Sequence, residues 1–289
     1  MTETKLPVDR LLHVADLHFW RVVFDPLRLA NKRFLGNLNV ALRRRHEFRM
    51  ERAKPFADAL AATEVRHVVL TGDFTSTSAE EEFELASEFV RGLQRRGLTL
   101  SILAGNHDVY TFEARRKRRF ERCFAGLVPD TGFPARKALP GGTGLILMPT
   151  VCPNFLTARG RASQVDIEAA HRLLADCTSP VIVAAHYPVL HRTYGYASRV
   201  SRRLRNAEAL RRMLGASGKR ILYVCGHVHR FSYVQDPEYA NVAHLSTGAF
   251  FRDDPEHGRQ GEFSEIHVCD DGFRVFRHTH EGEWRRQAC

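Results

Sequence analysis

The chain has 289 residues, 44% hydrophobic and 26% charged, enough for one large α/β domain or two small ones with a real core. Its six cysteines form no Cys-x-x-Cys pair, which argues against a zinc ribbon or a disulfide framework and for a reducing compartment. The formal charge of +10 is uneven: residues 21–54 carry ten Lys/Arg against three acids, residues 199–220 eight against one, and residues 113–122 six against two. The remainder is net acidic, and an anionic substrate or partner is expected.

Residues 1–10 are charged and interrupted by Pro7, unlike a secretion signal. No apolar run approaches the ~18 residues that cross a bilayer, so a cytoplasmic location is expected. Residues 10–16 read as a strand ending at Asp16. A basic insertion follows at about 21–54, far longer than a βα crossover needs. Within residues 27–48, Leu27, Phe34, Leu35, Leu38 and Leu42 recur at near-helical spacing between arginines. Such a stretch lies on an anionic membrane surface at the inner face, lines the mouth for an anionic, partly greasy substrate, or packs as a helix with solvated arginines.

Residues 66–73, 98–106, 144–150, 180–186 and 220–226 are further apolar runs, the pattern of strands buried on both faces. Ser78-Ala79-Glu80-Glu81 opens a helix with a capping-box pattern, and Gly97 stops it. Residues 163–177 and 201–214 are predicted as two more helices. Residues 241–249, 262–269 and 272–279 alternate and turn at Asp270-Asp271-Gly272, giving a C-terminal antiparallel hairpin at about 262–279. No repeat or linker is evident, so one domain spanning 1–289 is expected.

Polar residues recur where these strands stop: Asp16-Leu17-His18, Gly72-Asp73, Gly105-Asn106-His107-Asp108, Ala185-His186-Tyr187-Pro188 and Gly226-His227-Val228-His229, with Ser246-Thr247-Gly248 trailing. Packing alone does not put desolvation-averse side chains repeatedly at the ends of apolar strands. In open α/β sheets such ends converge. His, Asp and Asn without thiolate suit Mn²⁺, Fe²⁺/Fe³⁺ or Zn²⁺. Two such ions ~3.5–4 Å apart clamp a phosphoryl group and generate hydroxide from a shared water. Asp73, in the middle strand, is the natural bridging carboxylate. The ten other histidines, among them His13, His244 and His278, are read as ordinary core or surface residues, and Ser246-Thr247-Gly248 as a turn.

The ordered set Asp-x-His, Gly-Asp, Gly-Asn-His-Asp, His and Gly-His-x-His resembles the calcineurin-like metallophosphoesterase superfamily over residues ~10 to 250, in its bacterial-type phosphodiesterase branch. The resemblance implies a four-layer αββα sandwich of two mixed sheets with two divalent metal ions. It implies that Asp16, His18, Asp73 and His229 hold the first ion and that Asp73, Asn106, His186 and His227 hold the second. His107 then faces the scissile bond, stabilising phosphorane charge or protonating the leaving alkoxide.

One departure is visible. The phosphoprotein phosphatase branch has an Asp three residues after the bridging Asp, followed by a phosphate-gripping Arg, where this chain has Ser76 and Thr77. Protein phosphatase activity is disfavoured. Either Asp108 or a backbone carbonyl orients His107; alternatively Asp108 caps the helix that begins near Thr111.

The expected function is hydrolysis of a phosphodiester or pyrophosphate bond in a small or lipid-linked anionic substrate. Gly-Asn-His-Asp points to the cyclic-nucleotide phosphodiesterases, and the amphipathic insertion to the lipid-precursor UDP-sugar pyrophosphohydrolases. The alternatives are a metal-dependent nuclease, which the charge permits but the few aromatics among the arginines disfavour, and a non-catalytic metal-binding scaffold.

Overall fold

A computed structural model of the chain describes residues 6–22, 42, 44–154, 157–196 and 200–289. Most of the 27–48 stretch thus lies outside the described residues. β1 (Asp9–Val14), β2 (His67–Leu70) and β3 (Thr99–Ile102) run parallel in one sheet of order β14-β13-β12-β1-β2-β3. Its other members, β12 (Gly261–Cys269), β13 (Gly272–His280) and β14 (Trp284–Ala288), are antiparallel. The second sheet has order β10-β11-β9-β7-β5-β4. Within it β5 (Gly144–Leu147), β7 (Val181–Ala184), β9 (Ile221–Cys225) and β11 (Val242–Ser246) are parallel. β4 (Ala135–Ala138) and β10 (Ser232–Gln235) are its antiparallel edges.

The two-residue period of each strand divides its apolar run between two cores. Leu12, Val14, Val68, Leu70, Leu100 and Ile102 face Phe56 and Leu60 of helix α1 (Ala53–Ala62) and Phe83, Phe89 and Leu93 of α2 (Glu80–Arg95). The alternate residues Leu11 and Val69 pack with Leu145, Leu147, Ile182, Ala184, Leu222 and Val224 between the sheets. Ile146, Val181, Val183, Ile221 and Tyr223 face the far side, with two short helices, α3 (Phe112–Arg116) and α4 (Arg119–Cys123), intervening in the chain before the helices that cover it. Those are α5 (Gln164–Ala175) and α6 (Ala207–Ala216). Helix, sheet, sheet, helix: the four-layer αββα sandwich is the architecture, and double-sided burial is why the strands read as unbroken apolar runs.

Two local expectations need correction, and a third, the C-terminal hairpin, is present and longer than expected. The α2 cap is Ala79, with Glu82 rather than Glu81 as the carboxylate that folds back: it accepts from the amides of Ser76, Thr77 and Ala79 at 3.2, 2.7 and 3.2 Å. The helix predicted from Ser201 starts at Ala207. Leu204-Arg205 is drawn into a short strand, β8, beside β6 (Gly160–Arg161), and Asn206 adopts a left-handed conformation at φ 62°. The hairpin at 262–279 extends into β14, whose polar, largely exposed sequence carries no strand signal.

β10 ends in a buried polar junction that ties it to α6. Arg211 donates to both oxygens of Asp236 at 2.7 Å, and His244 Nε2 lies 2.8 Å from the same carboxylate. Asp236→Ala leaves both partners short of an acceptor and is expected to cost about 3 kcal/mol by urea denaturation, the lower end for a broken buried pair because Glu208 and Glu238 still face Arg211. Among the described residues all six cysteines are free thiols, and no helix is long and apolar enough to cross a membrane.

Candidate metal centre

Each parallel strand hands its chain to a tight turn at one edge of the sandwich. Asp16 and His18 follow β1, Asp73 follows β2, Asn106 and His107 follow β3, His186 follows β7, and His227 and His229 follow β9. The turns are strained. Nine described non-glycine residues have left-handed φ, and five of them are Asp16 (55°), His18 (51°), Asp73 (56°), His227 (72°) and His229 (56°). Such conformations cost of order 1 kcal/mol each and persist where surrounding bonds over-determine them. Here those bonds join the turns: Asp16 N to Gly72 O at 3.0 Å, His18 N to Asp73 O at 2.8 Å, and His227 N to Asp16 Oδ2 at 3.0 Å. The glycines that open three of these turns, Gly72, Gly105 and Gly226, have a packing reason. A Cβ on Gly105 would stand 2.1 Å from the Asp73 nitrogen, and one on Gly72, itself at φ 96°, 2.3 Å from the Gly105 nitrogen.

The eight residues singled out from the sequence come together. One ligand atom each from Asp16, His18, Asp73 and His229 lies within 4.8 Å of the others. Asp73 Oδ2 is 3.5 Å from His18 Nε2, while Asp73 Oδ1 is 3.5 Å from His186 Nε2 on the other side. His186 Nε2 and His227 Nδ1 meet the Asn106 side-chain oxygen at 3.0 and 2.9 Å. The two oxygens of one carboxylate therefore face two groups of donors.

These groups fit cations because they set lone pairs against lone pairs. His186 Nδ1 donates to the Thr71 carbonyl (2.8 Å) and His227 Nε2 to that of Arg202 (3.0 Å). These partners assign the ring protons and leave the other nitrogens bare toward Asn106 and Asp73. Turning the Asn106 amide over would offer its nitrogen to both rings, but Asp73 Oδ1 accepts under either assignment. His18 Nδ1 is likewise 3.3 Å from the Thr75 carbonyl, and its Nε2 lies 3.0 Å from His229 Nε2. Burial, then nearby positive groups such as Arg44, holds His18 well below its ordinary pKa. Burial first, then Arg252 and Arg44, does the same to His229. Neutral imidazoles suit coordination. Burial pushes Asp73 up to about 7 and, with the Asp73 charge beside it, raises Asp16 well above the carboxylate range. Ionised carboxylates at this depth call for positive charge.

His107 stands beside this cluster. Its amide donates to Asp73 Oδ1 at 2.7 Å, its Nδ1 to the Ser76 carbonyl at 2.6 Å, and its ring stacks on Tyr110 at 5.3 Å. A backbone carbonyl thus orients the ring, at the very position where the phosphatase branch has its Asp. Asp108 does neither of the jobs considered for it. Its carboxylate accepts from Gly105 N (2.8 Å), Phe74 N (3.2 Å) and Thr75 N (2.9 Å), clamping two turns together, while Thr111 caps α3. Tyr187 packs on His227 with ring centroids 4.0 Å apart. In the trailing segment, Thr247 bonds Ser264 and the Gly248 amide donates to Glu262.

Sequence reasoning missed Glu82 and Arg44. Glu82 accepts from Thr77 Oγ1 and the Arg21 amide as well as the three amides above, so it shapes the turn whose carbonyls hold His18 and His107. Five acceptances by one carboxylate, one of them from Arg21 across the fold, are a tertiary arrangement, and only the acidic run Glu80-Glu81-Glu82 signals it. Arg44 brings its guanidinium to His18 and His107.

Two mixed sheets between helices, with a His/Asp cluster at the carboxyl ends of parallel strands, define a metal-binding αββα sandwich. The chain belongs to the calcineurin-like phosphoesterase family, whose family model matches residues 9–231. A dimetal phosphatase from Danio rerio superposes with a TM-score of 0.63 at 13% identity, covering 98% of this chain and 99% of that one. A purple acid phosphatase from yellow lupin (Lupinus luteus) seeds gives 0.60 at 13% identity over 97% of this chain, which spans 52% of the lupin chain. At such identities the likeness is one of fold. No curated protein matches the sequence.

Proposed function

We propose that this chain is a dinuclear-metal-dependent phosphohydrolase that cleaves a phosphodiester or pyrophosphate bond in a small or lipid-linked anionic substrate. One observation carries the reading: the two oxygens of Asp73 face His18 and His186, each 3.5 Å away, in separate donor groups. Asp16, His18, Asp73 and His229 would hold one ion, and Asp73, Asn106, His186 and His227 the other. The donor set suits Mn²⁺, Fe²⁺/Fe³⁺ or Zn²⁺. When bound, such a pair supplies Lewis-acid stabilisation of phosphoryl charge and activation of water.

The chain's own side chains supply the rest. Backbone carbonyls of Thr71, Thr75 and Arg202 fix the ring protons of His186, His18 and His227. The Ser76 carbonyl holds His107 by Nδ1–H and leaves Nε2 toward the reacting group; a ring that has taken a second proton at Nε2 gives it to the leaving alkoxide and returns to the neutral form. Gly-Asn-His-Asp favours the bacterial-type phosphodiesterases, and Ser76-Thr77 after Asp73 disfavours protein phosphatases.

A screen with Mn²⁺ across cyclic nucleotides, nucleotide-sugars, anionic phospholipid vesicles and single-stranded DNA tests this. Turnover of a small diester or pyrophosphate well above that of DNA is expected. Preferential cleavage of DNA with a steep salt dependence would replace the reading with a nuclease. Flotation of the same vesicles tests residues 27–48 as a peripheral membrane contact, with binding at low salt expected.

A further inference from the structure

Arg44 comes from the basic insertion, directly before the helical turn Arg45–Glu47. Its half-buried guanidinium reaches between two rings, with Nη1 3.0 Å from His18 Nδ1 and Nη2 2.9 Å from His107 Nε2. The buried carboxylates of Asp73 and Asp16 attract this guanidinium, and cations held in the cluster would repel it. The contact to His18 also competes with another. The Thr75 carbonyl, 3.3 Å from His18 Nδ1, accepts only from a ring that carries its proton there, and that tautomer offers Arg44 nothing. A ring that turns Nε2 to a cation is this tautomer, so Arg44 then keeps His107 Nε2 alone. The Nη1 donor released from His18 is then open to an anion with several acceptor oxygens lying beside His107. The planar fork of a guanidinium matches a phosphoryl group in this way. No arginine follows Asp73 to do this, because Ser76 and Thr77 stand there.

We propose that Arg44 is the phosphate-binding arginine of this site, gripping the non-bridging oxygens of a phosphoryl group beside His107. The proposal rests on the phosphohydrolase reading for its ligand class, and it extends to product phosphate, which presents the same oxygens.

The test is calorimetric and needs no turnover. The full chain loaded with Mn²⁺ is titrated with inorganic phosphate, alongside Arg44→Ala and Arg44→Lys, and Mn²⁺ binding is measured separately on all three. Arg44→Ala is expected to weaken phosphate at least about tenfold and Arg44→Lys by less, with the number of Mn²⁺ ions bound per chain unchanged. Phosphate affinity within twofold of the parent in Arg44→Ala would overturn the proposal. So would Mn²⁺ binding tightened tenfold with phosphate unaltered, which would make Arg44 a plug. A parent chain that binds phosphate through Arg44 yet hydrolyses no substrate in the screen would leave this proposal standing and remove the function above.

Discussion

Asp73→Asn is expected to abolish metal-dependent hydrolysis of bis-p-nitrophenyl phosphate while leaving the fold in place. The substitution is nearly isosteric at a fully buried position. Asn retains one oxygen, which can still accept from the His107 amide now 2.7 Å from Oδ1. What it loses is the second anionic oxygen, so either the His18 side or the His186 side goes without its shared donor. The stabilisation supplied by a correctly held cation pair amounts to several kcal/mol, so roughly a thousandfold loss of rate is the minimum expected. Calorimetry with Mn²⁺ should show fewer ions bound per chain, and the melting temperature of the metal-free protein should move little. A near-normal rate would remove Asp73 as the bridge.

The strands and the donor set were legible because each is a local pattern. Val68-Val69-Leu70 reads as a strand whatever it packs on, and Gly72-Asp73 reads as a turn that cannot carry a larger residue. Five such turns in order leave little freedom for the assembly, so Asp16 and His227 could be placed together across 211 positions of sequence. The supporting residues were illegible because their roles depend on what other turns bring to them. Asp108 looked like a cap or an orienting acid, yet it is spent on the amides of Gly105, Phe74 and Thr75. Glu81 and Glu82 are indistinguishable as a pattern, and only the path of residues 76–79 decides which of them folds back. Arg44 is one of ten basic residues in its segment, and charge density alone marks none of them. The start of α6 at Ala207 rather than Ser201 is the same lesson. Pairing of Leu204 with Gly160 across the chain overrides a local helical preference.

His107→Ala should separate chemistry from metal binding. The ring is outside the two donor groups, and the link it makes to Asp73 is through its backbone amide, which alanine retains. Mn²⁺ stoichiometry is therefore expected to match the parent, while turnover falls by 10²–10⁴, roughly the contribution of a positioned general acid. The size of the loss should depend on the leaving group. p-Nitrophenolate departs without needing a proton, whereas an alkoxide does not, so bis-p-nitrophenyl phosphate should lose less than an alkyl diester when the ring is removed. The Ser76 carbonyl makes this comparison meaningful: with Nδ1–H held at 2.6 Å, a proton for the departing oxygen comes only from Nε2 of a doubly protonated ring, with Arg44 moved off that nitrogen. Equal losses for both esters would reassign His107 to stabilising charge on the phosphoryl oxygens. An unchanged rate with both would take it out of the reaction altogether.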